Sequence, residues 1–464
     1  MAPIPWGKLA KVAGPAVVVV FLSWLSFSSI VESRPRPDPK SATPLANGAT
    51  SHYESNDDPP LYQYWRHDES REMAEACPTH PGAPENKTSD PIRPSTIGAA
   101  IQRSLRDDEA LFIFLSLGGN PRYCVITKRS AFAGRLPPHE ALEMLIGAFR
   151  QALRTGDNTA GRIARPLFEA LFGNAPSDAA SKVSWLIMAT TNLAGLPYSA
   201  IESTTAPSRP PYLSRVHSVA LLNCVSAFVA RRNPTAQPDD SVAYDDLYVG
   251  IGDPVFHAAD PRAAQSNVAR MPWGDGDFSA GWILPRLPGS GLEIEACSQF
   301  FRRRMVLTGS QANLNQLEKL AGLRPMVLHF ATHFVNGALL SINGPGARRV
   351  FDASFVRPSR IQPKLLILNG CNSAEVHDPQ LPFAGRAPTA LAEMWLSNGA
   401  ESVLATLWDV PDTQGDIVAS FLRFWSSGAT ASRALQLAQC EMVSLGGWRA
   451  EPSYWAAYSI RVTD

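Results

Sequence analysis

Two short stretches of the sequence decide the fold. Residues 326–335 read MVLHFATHFV, and residues 364–375 read KLLILNGCNSAE. Each stretch is an apolar run, typical of a buried strand, that ends on a small polar cluster. One cluster contains His333 and the other contains Cys371. Because loops at the carboxyl ends of neighbouring parallel strands open into a shared crevice, these two side chains are predicted to meet if their strands are neighbours.

A histidine beside a cysteine supplies the minimum chemistry for acyl transfer. Imidazole withdraws the thiol proton and leaves a thiolate nucleophile, and the protonated ring can later donate to a leaving amine. The tetrahedral intermediate also needs hydrogen-bond donors for its oxyanion, and the peptide N–H groups after His333 and at Cys371 are candidates. The sequence alone does not give the distance between the two side chains.

The same residues have structural alternatives. A cysteine after an apolar strand is often a small buried side chain, so Cys371 could be structural. His329 shares the strand parity of His333 and is interpreted as a core histidine rather than a pocket wall. His377 lies in a polar loop and is either a rival base or a solvated residue. Position favours His333 as the base, because a residue on a neighbouring strand is held more rigidly than one in the nucleophile's own loop.

Composition narrows the classes of partner and cofactor. The chain of 464 residues is long enough for two domains or one large unit of two subdomains. Lys plus Arg and Asp plus Glu are both 42, and a net charge of zero gives no argument for nucleic-acid binding. The six cysteines stand far apart, which predicts neither a metal site nor a disulfide framework. They are Cys77, Cys124, Cys224, Cys297, Cys371 and Cys440.

The N-terminal segment has the length of a membrane span. Residues 12–31 are uncharged and form a run of about twenty, roughly what a helix needs to cross a bilayer. We interpret residues 1–31 as an uncleaved, single-pass membrane anchor, with a cleaved signal peptide and secretion as the alternative. Residues 32–94 are rich in Pro, Ser, Asp and Asn and are predicted to form a linker. The side of the membrane on which the remaining chain lies is left open.

From about residue 95 the sequence changes to strand-like runs separated by helical patterns. Residues 110–118 and 123–129 predict a hairpin, and further strands are expected within 184–191, 218–230 and 246–256, the second of which has room for a helix. In the last third, helices are predicted over 389–397, 414–425 and 431–442, and a closing strand within 454–462. This order predicts a mixed, mostly parallel α/β sheet flanked by helices.

Several of these segments together resemble one known family. HFATH (329–333), LLILNGCNSA (365–374), ALAEMWLSNGAESVLATLWDVPD (390–412) and PSYWAAYSI (452–460) are similar in order and spacing to the CHAT domain, a family of caspase- and separase-like cysteine proteases. The likeness extends upstream to LYVGIGDPVF (247–256), LPRLPGSGLEIEACSQFF (284–301) and VLTGSQAN (306–313). It covers nearly all of the chain after about residue 95.

The resemblance implies a caspase-like α/β fold and a set of roles. Residues 95–243 would form a pseudo-protease-like N-terminal half and residues 244–464 the catalytic half. His333 would be the base and Cys371 the nucleophile, with no metal and no other cofactor. Backbone donors for the oxyanion are expected at Phe334 and Gly370. Candidates for the substrate pocket are Asn369, Trp408, Asp409 and Asp412.

Two positions depart from what relatives carry. Family members usually have glycine directly after the histidine, whereas this chain has Phe334, whose side chain would restrict the backbone and narrow the approach to the site. Metacaspases, which cut after basic residues, place an aspartate two residues before the nucleophile, and here that position is the neutral Asn369. The sequence therefore predicts no strong preference for Arg or Lys before the cut, unless Asp409 or Asp412 supplies the charge.

The leading hypothesis is a membrane-tethered cysteine endopeptidase that cleaves a protein partner in a bacterial defence or stress system. That partner is expected to be encoded by a neighbouring gene. The second hypothesis is a catalytically weak or inactive protein-binding module in which Phe334 blocks the cleft. A third, an α/β-hydrolase-like esterase, lacks the G-x-S-x-G elbow that its nucleophile would need.

Overall fold

The structure is a computed structural model that describes residues 96–117, 120–189, 191–203, 211–232, 243–256, 260–263, 285–335, 338–340, 350–351, 360–370, 388–412 and 415–463. All of these lie in one compact unit. Within them, no helix combines the length and apolar character that a membrane crossing requires. The predicted membrane segment (12–31), the predicted linker up to residue 94, the candidate nucleophile Cys371 and the rival base His377 lie outside the described residues.

Among the described residues, eleven strands form the central sheet, in the order β3-β2-β1-β4-β5-β14-β13-β12-β8-β6-β7, and β9, β10 and β11 form a separate small sheet. The strand bounds are β1 Glu109–Leu117, β2 Asn120–Thr127, β3 Ala131–Arg135, β4 Ser184–Ala189, β5 Ser218–Leu222, β6 Asp245–Pro254, β7 Arg303–Gly309, β8 Pro325–Ala331, β9 Phe334–Val335, β10 Ala338–Leu340, β11 Val350–Phe351, β12 Leu365–Asn369, β13 Ser402–Thr406 and β14 Tyr458–Val462.

Helices cover the sheet. The helices of the described residues are α1 Thr96–Ser104, α2 His139–Thr155, α3 Ala160–Phe172, α4 Ser177–Ala180, α5 Val225–Arg231, α6 Pro288–Ser298, α7 Leu314–Glu318, α8 Pro388–Ser397, α9 Asp416–Ser426, α10 Ala431–Leu445 and α11 Pro452–Trp455. The three helices expected in the last third are α8, α9 and α10. The run 218–230 divides into strand β5 and helix α5, as its composition allowed.

Most strand pairs of the central sheet are parallel. The antiparallel pairs are β1 with β2, which is the predicted hairpin, β2 with β3, and β13 with β14. All other neighbours run in the same direction. The prediction of a mixed, mostly parallel α/β sheet flanked by helices is confirmed. We call β1–β5 the first half of the sheet, and β6–β8 with β12–β14 the second half.

Close packing of α6 on β6 depends on two glycines. A Cβ at Gly252 would come within 2.7 Å of the Ser290 carbonyl oxygen, and a Cβ at Gly250 would collide with Ile294. Both partners belong to α6, so larger residues in β6 would push this helix away from the sheet. The backbone of β6 thereby brings the first turns of α6 to the carboxyl edge of the second half.

Candidate active site

The two decisive stretches form adjacent parallel strands. β8 pairs with β12 in a register that sets Ala331 opposite Asn369. The next amide continues the pairing, because Thr332 N–H donates to the Asn369 carbonyl oxygen at 3.2 Å. His333 follows Ala331 by two residues, and Cys371 follows Asn369 by two residues in the sequence. The condition set by the sequence, that the two strands be neighbours, is therefore fulfilled.

Gly370 stands at a crowded point of this strand end. A Cβ there would collide with the Thr332 carbonyl oxygen and with the ring of Phe334. Its own carbonyl oxygen accepts a hydrogen bond from Thr406 Oγ1 at the end of β13. Phe334 is buried, with its ring against Gly370. The residue before Cys371 is thus held from two neighbouring strands and has to be glycine for lack of space.

The imidazole of His333 has a defined partner. Its Nε2 lies 2.8 Å from the carbonyl oxygen of Pro285, and its ring packs 4.9 Å, centroid to centroid, from Phe256. Because a carbonyl oxygen only accepts, Nε2 carries a proton and donates it to Pro285. In the neutral ring, Nδ1 then has the lone pair that can accept a thiol proton.

An ion-pair cluster fixes the segment that carries the Pro285 carbonyl. Arg286 donates to Asp253 through Nη2 at 2.7 Å and Nε at 3.1 Å, and Arg262 Nη1 donates to the same carboxylate at 2.8 Å. The hydrogen bonds from Arg286 to Asp253 raise the pKa of the Arg286 guanidinium. Asp253 has a positive φ of 44° at a register shift near the end of β6, and its N–H donates to Ser290 Oγ at 2.8 Å. The carboxylate is therefore aimed by a backbone conformation that non-glycine residues rarely adopt.

Five side chains form a buried polar network beneath the same edge of the sheet. Glu293 of α6 accepts from Asn369 Nδ2 with both oxygens, at 2.8 and 2.7 Å. Asn369 Oδ1 accepts from the hydroxyl of Tyr458 at 3.1 Å. On the other side, Glu293 Oε1 lies 2.8 Å from His329 Nε2, an ion-pair distance without hydrogen-bond geometry. His329 Nδ1 is 2.9 Å from the Tyr248 hydroxyl.

Burial keeps the hydroxyls and the nearby thiol of this network in their neutral forms. Desolvation raises the pKa of Tyr248 and of Tyr458 well above the usual tyrosine value. Desolvation, reinforced by the neighbouring Glu293, also raises the pKa of the Cys297 thiol. Both tyrosines therefore remain hydrogen-bond donors, and Cys297 is a protonated core thiol rather than a nucleophile. His329 is fully buried, in agreement with its interpretation as a core histidine.

The remaining candidates for the substrate pocket have different surroundings. Trp408 is buried, and its Nε1 donates to the Ser453 carbonyl oxygen at 2.7 Å. Asp412 accepts from the N–H of Gly289, in the first turn of α6, at 2.8 Å, where a carboxylate complements the helix dipole. Asp409 is exposed. Of these three side chains, only that of Asp409 is open to solvent without a described polar partner.

The described part of the chain also holds thiols and carboxylates outside this site. It contains no cluster of three or more His, Cys, Asp or Glu side chains able to hold a metal ion. Cys124 and Cys224 are buried, and burial raises the pKa of the half-buried Cys440 thiol.

Sequence reasoning did not single out Pro285, Arg286, Asp253 or Glu293. All four lie in segments that resembled the family, 247–256 and 284–301, but no local pattern marks a carbonyl or a carboxylate as a partner of a distant residue. The usable signal was Glu293 itself, because this charged residue stands beside the apolar residues Ile294 and Cys297 of the same helix. A buried charge in such a position calls for a partner.

Comparison with known proteins identifies the family. The family model of the CHAT domain matches residues 143–463, and the chain belongs to that family. None of the proteins of curated function matches the sequence.

Similar solved structures include a cysteine proteinase and a separase–securin complex, both of low sequence identity to this chain. The Arg-specific cysteine proteinase gingipain R is 7% identical with a TM-score of 0.40, over 65% of this chain and 67% of that one. Separase of Saccharomyces cerevisiae, solved in complex with securin, is 9% identical with a TM-score of 0.46, over 79% of this chain. The match spans 30% of the separase chain.

Proposed function

We propose that the protein is a cysteine endopeptidase that cleaves a protein partner, with His333 as base and Cys371 as nucleophile. The observation that carries the proposal is the hydrogen bond from His333 Nε2 to the Pro285 carbonyl, at the end of a strand whose neighbour runs into Gly370 and Cys371. That bond leaves Nδ1 as the basic nitrogen. Membership of the CHAT domain family supports the same assignment of roles.

The chemistry follows from these positions. Nδ1 of His333 takes the thiol proton, and the Cys371 thiolate forms a bond to the carbonyl carbon of the peptide to be cut. Backbone N–H groups at Phe334 and Gly370 are the proposed donors to the oxyanion. When the C–N bond breaks, the imidazolium returns its proton to the leaving amine. Water, deprotonated by the same imidazole, then hydrolyses the thioester.

Throughout the cycle the Pro285 carbonyl stabilises the charged ring. The N–H at Nε2 becomes more acidic when Nδ1 is protonated, so the hydrogen bond to this carbonyl strengthens in the imidazolium state. Arg286, adjacent in sequence, is tied to Asp253, so the carbonyl does not have to be ordered during the reaction. This is a preorganised partner rather than one recruited by substrate.

A peptidyl acyloxymethyl ketone, which reacts with activated thiolates, tests the proposal without a known substrate. We expect wild-type protein to be labelled at Cys371, located by peptide mapping, and Cys371→Ala to be unlabelled. In His333→Ala the rate of Cys371 labelling should fall by about 10²-fold or more, because the thiol then has no base. His139→Ala, which removes an exposed histidine from α2, is the matched control and should be labelled like wild type.

Cleavage itself is tested with proteins encoded by neighbouring genes as candidate substrates. A partner cut by wild type and left intact by Cys371→Ala would support the endopeptidase. Equal labelling of Cys371 in the wild type and in folded His333→Ala would contradict the dyad. Cleavage by Cys371→Ala at the wild-type rate would contradict the protease reading altogether.

The binding module remains the second candidate, favoured by the position of Phe334. Its buried ring packs against Gly370, so a relative with glycine after the histidine would have more space at this edge. If this ring closes the cleft, wild type should resist the ketone while Phe334→Gly gains labelling. If the ring only narrows the cleft, both proteins should be labelled, with Phe334→Gly equal or faster for the folded fraction.

The tether is a separate part of the proposal. Residues 12–31 are proposed to hold the protein at a membrane, with secretion after signal cleavage as the alternative. Full-length protein should sediment with membranes and resist carbonate extraction. Soluble full-length protein with an intact N-terminus would contradict the anchor, and soluble protein that lacks the first thirty or so residues would support the signal peptide.

A further inference from the structure

Glu293 is a buried charge that touches the strand end before the candidate nucleophile. Only 3% of the residue is exposed, and both carboxylate oxygens accept from the amide of Asn369. A Cβ at Gly415 would collide with its side chain, so the neighbouring backbone is shaped to admit it. A carboxylate in such surroundings is costly unless it is paired, which makes an incidental charge at this position improbable on energetic grounds.

The carboxylate fixes the orientation of Asn369. Because an ionised carboxylate only accepts, the NH₂ group of the amide has to face Glu293 and the oxygen has to face away. The Tyr458 hydroxyl, kept protonated by burial, then donates to that oxygen at 3.1 Å. The side chain two positions before Cys371 therefore has a single orientation that satisfies both neighbours.

The backbone at the same place is held as firmly. The Asn369 carbonyl oxygen accepts from Thr332 N–H at 3.2 Å, and the Gly370 carbonyl oxygen accepts from Thr406 Oγ1. Side chain and main chain are thus anchored to α6, β8, β13 and β14 together. Catalysis by an attacking thiolate depends steeply on such placement, since an error of about 1 Å can lower a rate by about 10²-fold.

The same hydrogen bonds constrain charge. An aspartate at position 369 would set two carboxylates 2.7–2.8 Å apart, at the distances that the amide now occupies. Two such groups cannot both ionise without a large penalty. Glu293 therefore demands a neutral donor at 369, the position whose charge the resemblance to metacaspases links to a basic substrate residue.

We propose that Glu293 is a positioning residue that acts through Asn369: it fixes the strand end that leads to Cys371 and keeps position 369 neutral, so that the enzyme favours an uncharged residue before the cut. The inference rests on the proposed function. It adds a residue that no local sequence pattern indicated and a chemical class for the substrate position next to the scissile bond.

A charge exchange tests this directly. Asn369→Asp adds a second carboxylate, whereas Glu293→Gln combined with Asn369→Asp restores one carboxylate facing one amide, with the net charge of the wild type. We expect Asn369→Asp to lower the rate of Cys371 labelling by at least about tenfold and the Tm by about 5 °C. The double variant should recover most of both losses. If Asn369→Asp fails to fold, recovery of folded protein by the second substitution is the expected result.

Specificity is read with two acyloxymethyl ketones that differ only in the residue before the warhead, leucine or arginine. Wild type should favour the leucine probe, and the double variant, which carries its charge at 369, should shift the ratio toward arginine by about tenfold. Glu295→Gln is the matched control, because Glu295 is exposed on the same helix and interacts with Gln299. It should change neither the rate nor the ratio.

The outcomes separate the two proposals. Wild type that is not labelled at Cys371, or labelled independently of His333, overturns the proposed function and this inference with it. Labelling that depends on His333, but with a double variant as impaired as Asn369→Asp, overturns the inference alone. An unchanged probe ratio in a rescued double variant overturns its specificity part and leaves the positioning part supported.

Discussion

The aromatic cluster around Trp185, in the first half of the sheet, and the polar network around Glu293, in the second half, are built from different kinds of side chain. In the first half, Trp185 packs 4.6 Å from Phe112 and 4.9 Å from Phe172, centroid to centroid, and stacks on His217 at 4.0 Å. The second half buries hydrogen-bonded polar groups around Glu293. Aromatic packing stabilises without restricting orientation to a single hydrogen-bond pattern, whereas the polar network specifies one orientation for each member. The aromatic cluster is therefore suited to support, and the polar network to hold a site.

Two histidines express the same contrast. His217 stacks on Trp185, its Nδ1 lies 2.7 Å from the Lys182 carbonyl oxygen, and desolvation lowers its pKa. His333 is half-buried at a strand end, and its Nε2 lies 2.8 Å from the Pro285 carbonyl oxygen. Both rings thus contact a backbone carbonyl, but only His333 stands where a neighbouring strand leads to a cysteine. The difference lies in position along the strand, not in the type of hydrogen bond.

The largest effect should come from exchanging each of these histidines for alanine. His333→Ala should lower the rate of peptide cleavage by about 10²–10⁴-fold, the usual contribution of a general base, and should lower the free energy of unfolding by only about 1 kcal/mol, for the lost hydrogen bond to Pro285. His217→Ala should do the reverse, with lower stability and the rate per folded molecule retained. Cleavage assays and urea unfolding on both variants check this. Equal loss of rate in the two folded variants would contradict the assignment of a catalytic role to His333 and a structural role to His217.

Trp185→Ala should produce the largest loss of stability. The indole is almost fully buried among aromatic rings, and truncation of such a side chain costs about 3–5 kcal/mol. Urea unfolding followed by circular dichroism gives the free energy. Trp448, which is 45% exposed, is the matched control, and Trp448→Ala should stay within about 0.5 kcal/mol. A small effect of Trp185→Ala would mean that the aromatic cluster is not the support inferred here.

Sequence patterns predicted the parts of the fold that depend on local periodicity. The hairpin β1–β2, the strands β8 and β12 and the helices α8 to α10 each follow from apolar spacing and turn residues within one segment. The order of strands in the sheet does not, because it depends on which segments pair across the chain. The pairing of β5 with β14, which joins the two halves, connects residues more than 200 positions apart and leaves no local signal.

The candidate site divides in the same way. His333 was singled out because a polar cluster ends an apolar run, and Asn369 because of its place relative to Cys371. The partners of these residues were not found, since the Pro285 carbonyl belongs to a backbone that any residue would supply. Glu293 and Asp253 reach their partners through packing of α6 on β6 and through a left-handed residue at a register shift, features that only the folded chain has.

A moderate effect is expected at Arg286. Arg286→Met keeps most of the side-chain volume but removes the hydrogen bonds to Asp253, so the Pro285 carbonyl should become less well placed for His333. We expect the rate of Cys371 labelling to fall by about tenfold, with a smaller change in stability because the side chain is largely exposed. Arg304→Met is the control, since the bond that Arg304 makes among the described residues is to the exposed Gln299 side chain. An unaltered rate would mean that the ion-pair cluster around Asp253 does not position His333.

The smallest effect concerns acid stability. Hydrogen bonds from Arg262 hold the pKa of Asp260 at about 2. Because this folded-state pKa lies below the unfolded value of about 3.9, the carboxylate stabilises the fold above about pH 4, and the contribution is lost as the pH falls toward 2. Asp260→Asn should therefore reduce stability at neutral pH by about 1 kcal/mol and flatten the loss of stability between about pH 4 and pH 2. In the first half, the pKa of Asp178 is likewise lowered, chiefly by a hydrogen bond from Thr127, so Asp178→Asn should flatten the same acid limb. Unfolding free energies measured across this range for both variants and the wild type decide the point. A curve for Asp260→Asn parallel to the wild-type curve would mean that the Arg262 pair contributes nothing to the acid response.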